Sequence, residues 1–414
     1  MLATLQARYV FPVDGVPIEN GSVIVDGDRI AAVGRQSAGE VRDFGNAAIV
    51  PGFVNAHTHL DFSDINQPLG KPDIRFVDWL RLVIAFRKEA AATERQPIVL
   101  GLRECLRHGT TLLGDIAQPG SFATDRLLDP NGEAWPTVTA FLEIIGPTAD
   151  RFAKAMELAE QHCAQAASAN GLTAAPSKWQ AGLSPHAPYS VHPELLAALA
   201  RLSAERRIPV AMHLAETPEE LQLLRYGDGP LREFLDELGV WDAAMLQPGR
   251  RPLDYLRVLA STHRALVVHG GYLEDDEIRF LAENAERMGV VYCPRTHEWF
   301  GRQRYPLEKM LAGGVPVALG TDGRGSSPDL GLLGEMRCVA RRHPLLRLRH
   351  VLQMGTIDGA RVLGCDAEVG TLAPGKLADL TVIALPRIAA PDPHELLFHA
   401  DASVAACYGR GQMR

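Results

Sequence analysis

The sequence predicts an α/β fold: a (β/α)8 TIM-type barrel with a small β-sandwich formed by both chain termini. Three observations carry this. Between Pro51 and about residue 365, eight short apolar runs of strand length alternate with helical patterns. Before and after that stretch the chain reads as short strands joined by tight turns. And 414 residues suffice for one barrel plus one accessory layer.

Taken in order, residues 1–50 alternate apolar and polar side chains, with SVIVDGDRIAAVG turning at Asp26-Gly27-Asp28. The eight predicted barrel strands are 52–57, 110–116, 137–145, 180–186, 209–214, 264–269, 289–294 and 316–321. Helical patterns such as FAKAMELAEQHCAQAA and PEELQLLRYG lie between them, as parallel strands require of their crossovers. After about residue 365 the chain returns to β with GTLAPGKLADLTVIAL and a last strand near 403–408. The expected division is a catalytic barrel over 51–365 and a composite sandwich from 1–50 and 366–414, with no internal repeat and no low-complexity linker.

Composition narrows the function classes. Hydrophobic residues at 46% and charged residues at 22% allow a large buried core and argue against disorder. A net charge of −8 argues against a nucleic-acid partner, and the cluster Arg341, Arg342, Arg347 and Arg349 reads as a solvated helical surface. The 6 cysteines are scattered without CxxC spacing, which suits a reducing compartment and not a disulfide framework or a thiolate zinc site. The first residues lack an apolar leader core, and no run approaches the ~18 apolar residues of a membrane span. The expectation is a soluble, cytoplasmic protein acting on a small molecule, with no membrane partner; a homo-oligomer is left open.

Of the 14 histidines, His57, His59, His186, His213, His269 and His297 fall at or just past predicted strand C-termini, which converge on one mouth in a barrel. His57 and His59 are two apart, so in a strand both imidazoles face the same side and suit one metal ion. A lone HxH is a weak signal. His213 at the end of PVAMH, Glu216 three residues later and Asp322 at the end of VALGTD strengthen it, because a carboxylate at a barrel-strand end needs a cation or a partner. Asp322 as an N-cap and Glu216 as a helix-start carboxylate are the alternative readings.

PGFVNAHTHLDFS, HLAET, VVHGG, LGTD and the closing GTLAPGKLADLTVI, in this order, resemble the amidohydrolase superfamily over essentially the whole chain. Many members hold two metals bridged by a carboxylated lysine on a middle strand. The lysines here are Lys71, Lys88, Lys154, Lys178, Lys309 and Lys376; none sits at a predicted strand C-terminus, and Lys178 precedes its strand. The chain is therefore similar to the mononuclear branch of cytosine, guanine, adenosine-type and S-adenosylhomocysteine deaminases and triazine chlorohydrolases.

The resemblance implies one divalent metal held by His57, His59, His213 and Asp322. Three imidazoles and a carboxylate suit Zn2+, and Fe2+ would accept them too. Such an ion lowers the pKa of bound water from 15.7 towards ~7. It also implies that Asp322 takes the water's proton, that Glu216 donates one to a ring nitrogen, and that His269 orients the nucleophile. His186 in LSPHAPYS resembles a strand-4 histidine that contacts substrate. Arg295 and His297 in CPRTHEWF depart from the family's usual small polar pair and are candidates for a polar or anionic part of the substrate; surface salt bridging is the alternative. Gly323 replaces a common Ser, so that local hydrogen bond should be absent.

HTHLDFS followed by FVDWLRLVIAFRKE is similar to the aminodeoxyfutalosine deaminases of the alternative menaquinone pathway, with Asp61 where they carry Glu. The resemblance implies deamination of an adenine nucleoside, 6-amino-6-deoxyfutalosine to futalosine plus ammonia. Asp61 and Ser63 would then bind sugar hydroxyls, with Trp79 or Phe76 beside the base. Phe76, Trp79, Leu80 and Val83 also fit the buried face of an amphipathic helix. Guanine or another heterocycle, or a triazine chlorohydrolase or cyclic amidase reaction with the same metal, is the alternative function.

Overall fold

The computed structural model describes residues 2–90, 95–121, 135–171, 179–242 and 246–414. Eight parallel strands follow one another around a barrel in chain order: β6 (Phe53–Thr58), β7 (Thr110–Ala117), β8 (Thr137–Ile144), β9 (Trp179–Pro185), β10 (Pro209–Leu214), β11 (Arg264–His269), β12 (Met288–Tyr292) and β13 (Val317–Leu319). Each coincides with a predicted strand to within a few residues. The ring closes where Thr58 bridges Asp322 and where the Thr321 and Asp322 amides donate to the His57 carbonyl.

Alternation along the strands sorts side chains into separate cores. Val54, Leu112, Ile116, Ala211, Leu266, Val268 and Ala318 share one cluster, while Val210, Met212, Val267, Val290, Val317 and Leu319 join the layer under the helices. Helix Ile357–Leu363 contributes Ala360, Val362 and Leu363 to the first cluster and so plugs one end of the barrel. The other end, where the strand C-termini lie, is left for the site.

The crossover helices begin where the sequence dictates. Pro97, Pro193, Pro218, Pro230, Pro252 and Pro294 each open a helix, where a missing N–H costs nothing. FAKAMELAEQHCAQAA lies within helix Phe152–Gly171, and PEELQLLRYG is helix Pro218–Tyr226, ended by Gly227 at φ 71°.

The two ends of the chain share a second sheet. Its N-terminal strands are β1 (Leu2–Val10), β2 (Ile18–Asp26), β3 (Arg29–Gly34), β4 (Glu40–Asp43) and β5 (Ala47–Pro51). β14 (Leu380–Ala384), β15 (Ser403–Gly409) and β16 (Gln412–Met413) come from the other end. The sheet runs β16-β15-β14-β5-β1-β2-β3, with β4 on β1. The predicted turn holds: Asp26 pairs Arg29 across Gly27 at φ 60°. Antiparallel pairing of β5 with β14, from Ala47 opposite Ala384 to Pro51 opposite Leu380, joins the termini just before the chain enters β6.

Candidate active site

His57 faces the mouth because β6 is irregular. Between Asn55 and Thr58 its register against β7 slips, three residues spanning the space of two, and such a bulge re-aims the side chains that follow. His59 lies past the end of β6, at the start of the short turn Leu60–Phe62. The predicted pairing on one side is therefore realised, but by a bulge and a turn and not by a continuous strand. His213 comes from β10, in phase with Ala211 of the barrel interior.

One ring nitrogen from each of His57, His59 and His213 lies within 4.8 Å of the others, and all three residues are buried. Asp322 Oδ1 stands 3.4 Å from His57 Nε2 and 3.5 Å from His59 Nε2. Both ring nitrogens of His57, and His59 Nδ1, are buried without a hydrogen-bond partner. Buried polar atoms are rarely left so, and three imidazoles beside a carboxylate fit a divalent cation. The second sphere agrees: His213 Nδ1 is 2.9 Å from the His186 carbonyl, a donation that leaves Nε2 as the ligand atom. Burial lowers the pKa of His57 and of His59, keeping the neutral, ligating form. For Asp322 burial pushes the pKa up, but the close approach of His57 and the other neighbouring histidines outweighs it and holds the carboxyl well below its usual range. Asp322 Oδ2 also accepts from Ser326 Oγ at 2.8 Å, so a serine four residues on supplies a bond that Gly323 cannot.

Neither capping alternative holds. The helix after Glu216 is capped by Thr217, whose side chain accepts from the Glu220 amide, and the helix Leu332–Arg342 after Asp322 begins at Gly331. Glu216 Oε1 instead lies 3.7 Å from His269 Nε2 and accepts from Arg302 Nη2 at 3.1 Å. Its backbone is held from behind: Glu220 accepts from the Ala215 and Glu216 amides at 2.9 and 2.8 Å. Burial pushes the Glu220 carboxyl up to about 8. Tyr305 donates to the His269 carbonyl at 2.6 Å. Ala215, His269 and Asp322 all have positive φ, 52°, 69° and 55°, a conformation L-residues adopt when surroundings enforce it.

These groups open into a cavity of about 250 Å3. Of the predicted substrate contacts, His186 and Trp79 line it, as does Phe76, whereas Asp61, Ser63, Arg295 and His297 do not. The turn Leu60–Phe62 carries Asp61 and Ser63 back against the barrel wall. Asp61 pairs with Arg87 Nη2 at 3.2 Å, and burial, opposed by Arg87, brings its carboxyl to about 6. Ser63 packs against Gly101, where a Cβ would meet its Oγ. Arg295 is committed to Glu335 at 2.5 Å and Asp329 at 2.9 Å, and His297 Nε2 holds the Gln303 carbonyl at 2.5 Å.

The sequence reading missed Glu143, Arg87, Gln118 and Arg302. Glu143 carried the same signal as Asp322, a carboxylate near the C-terminal end of an apolar strand. The other three lie on a helix or in loops, where no pattern marks them. No lysine lines the cavity among the described residues, and Lys178 lies outside them.

Residues 48–408 match the amidohydrolase family model, and the chain belongs to that family of hydrolases. It is 31% identical over 399 residues to a 5-methylthioadenosine/S-adenosylhomocysteine deaminase of Moorella thermoacetica, covering 90% of this chain and 83% of that one. Among solved structures, an adenosine deaminase from Xanthomonas campestris with bound zinc superposes with a TM-score of 0.75 at 25% identity, covering 99% of this chain and 92% of the other. The Helicobacter pylori aminofutalosine deaminase in complex with methylthio-coformycin shares the fold, with a TM-score of 0.83 at 23% identity and 100% of each chain. No described helix is long and apolar enough to cross a membrane.

Proposed function

We propose that the chain is a hydrolytic deaminase of adenine nucleosides, using one divalent ion held by His57, His59, His213 and Asp322. The observation that carries this reading is the placement of Glu216 beside His269, on the cavity side of a buried three-histidine cluster. When bound, the ion would supply Lewis acidity and lower the pKa of water from 15.7 towards ~7. Asp322 accepts the proton that water loses, and His269 orients the oxygen. Glu216, steadied by Arg302, delivers a proton to the ring nitrogen next to the amine-bearing carbon. Water's oxygen bonds to that carbon, the carbon–nitrogen bond breaks, and the amine leaves as ammonia with the protons this relay returns to it.

The names of the relatives support an adenine ring, and the cavity supports an extended nucleoside. Its outer part is apolar, walled by Trp79, Leu80, Ile84, Phe234 and Leu238. A 5′ substituent of low polarity fits there. The methylthio group of 5′-methylthioadenosine extends in this way; 6-amino-6-deoxyfutalosine, the substrate suggested by the HTHLDFS run, would place its aromatic ring against the same side chains, with its carboxylate beyond them. The test is ammonia release, with kcat/KM compared for 6-amino-6-deoxyfutalosine, 5′-methylthioadenosine, S-adenosylhomocysteine, adenosine, adenine and guanine. The extended nucleosides should lead and free adenine should trail them; guanine or a triazine at the head of the series would overturn the nucleoside reading.

A further inference from the structure

Glu143 is a buried carboxylate on the cavity wall that the deamination chemistry leaves unused. It stands near the C-terminal end of β8, with 4% of its side chain exposed. One oxygen is fully engaged: Oε2 accepts from Gln118 Nε2 at 2.6 Å and from Arg87 Nη1 at 3.2 Å. The other, Oε1, lies 4.0 Å from His186 Nε2, beyond hydrogen-bond reach. His186 is fixed in turn by Ser190 Oγ, 2.7 Å from its Nδ1, and its ring centroid lies 5.1 Å from that of His213. The apolar side chains Val83, Ile84 and Ile145 line the same cavity.

We propose that Glu143 Oε1 and His186 Nε2 form the subsite for the vicinal hydroxyls of the substrate's sugar, a role first expected of Asp61 and Ser63. The inference rests on the nucleoside reading above. A carboxylate only accepts, so this wall selects a neutral group that donates, and it disfavours an anion. Two acceptor-capable atoms 4.0 Å apart suit two hydroxyls on adjacent carbons, each reaching one atom at the ~2.8 Å of an O–H···O bond. Arg87 keeps the group in its accepting form: burial pushes the Glu143 carboxyl up, but the guanidinium charge outweighs this and brings it to about 2. Position agrees as well. Strands β8 and β9 adjoin β10 and β11, so a base placed on Glu216 and His269 leaves its sugar towards Glu143 and His186.

The experiment compares kcat/KM for adenosine and 2′,3′-dideoxyadenosine in the metal-loaded wild type, Glu143→Ala and Glu143→Gln, with metal content and thermal unfolding checked for each. A hydrogen bond to a charged group predicts a preference for the diol of roughly 10- to 100-fold in the wild type. In Glu143→Ala, where His186 Nε2 still meets one hydroxyl, the preference should shrink by a factor of about 3 to 10, mainly through a higher KM for adenosine, with dideoxyadenosine losing less than adenosine does. Should Glu143→Ala not fold, Glu143→Gln carries the test, with the preference reduced by a factor of about 3 or more. Equal losses on both substrates would make Glu143 a structural residue and overturn the subsite. Wild-type enzyme that deaminates both nucleosides equally would overturn it too, while leaving the nucleoside reading standing. Wild-type enzyme with no nucleoside turnover would overturn both.

Discussion

The floor of the cavity and its outer wall are built in different ways. On the floor, His57, His213, His269 and Asp322 sit at or just beyond the ends of parallel strands, and their directions are fixed by the barrel's register, one bulge and two positive-φ residues. The wall is made by helices Phe76–Ala90 and Pro230–Glu237, which pack over the mouth through side chains. Strand-end positions are overdetermined by backbone hydrogen bonds, so they tolerate little displacement. Helices in crossovers can shift as their contacts change. In the proposed function the floor would therefore place the chemistry and the wall would sort substrates. That division predicts which kinetic constant each substitution moves.

The largest effect should come from the floor. His213→Ala removes one of the three proposed ligand nitrogens, and we expect loss of the ion and of turnover together. Wild-type protein should carry about one divalent ion per chain by elemental analysis. Two ions per chain, or full activity without any, would break the assignment of this cluster.

Next is the acid. Glu216→Gln keeps the shape, the Arg302 contact and the metal cluster, but cannot donate an acidic proton. We expect kcat to fall by a factor on the order of 10²–10⁴ with metal content unchanged. Near-normal kcat would assign the pair with Arg302 to scaffolding and move the proton donor elsewhere.

The same division explains what the sequence made legible. Strand ends are marked by period and position, so eight strands and the histidine, glutamate and aspartate of the floor could be read from runs such as PVAMH and VALGTD. Phase was less legible. His57 and His59 reach the mouth through a bulge that no alternation rule foresees. Asp61 and Ser63, close in sequence to His59 of the histidine cluster, were expected over the mouth. The three-residue turn Leu60–Phe62 sends them into the wall, where Arg87 and Gly101 meet them. Arg295 and His297 were read as polar groups near strand ends, and their partners Glu335, Asp329 and Gln303 lie too far along the chain, or too deep in a loop, to be paired by spacing. Trp79 illustrates a residue whose position is compatible with both readings: it packs on the core side of its helix and also lines the cavity.

The smallest effect, and the sharpest test of the division, belongs to Trp79. Its ring stacks on Phe76 at 6.0 Å and 22° and meets Phe300 edge-on at 5.3 Å and 90°. Its Nε1 donates to the Gly325 carbonyl at 2.9 Å, tying the first crossover helix to the loop after β13. The residue thus closes the apolar end of the cavity without touching Glu216, His269 or the histidine cluster through any hydrogen bond. Trp79→Phe deletes the tie to Gly325 and part of the ring surface, whereas Trp79→Ala deletes nearly all of the apolar surface; contact of that size with a substrate group carries about 1–3 kcal/mol. For an extended nucleoside such as 5′-methylthioadenosine we expect Trp79→Ala to raise KM by roughly 10-fold while kcat changes by less than about threefold. Trp79→Phe should fall between that variant and the wild type. Adenosine, which lacks the apolar extension, should lose less than 5′-methylthioadenosine in the same variant. A fall in kcat as large as the rise in KM, shared by both substrates, would show that the wall also sets the geometry of the floor, because the tie to Gly325 leads back to Asp322 only three residues away.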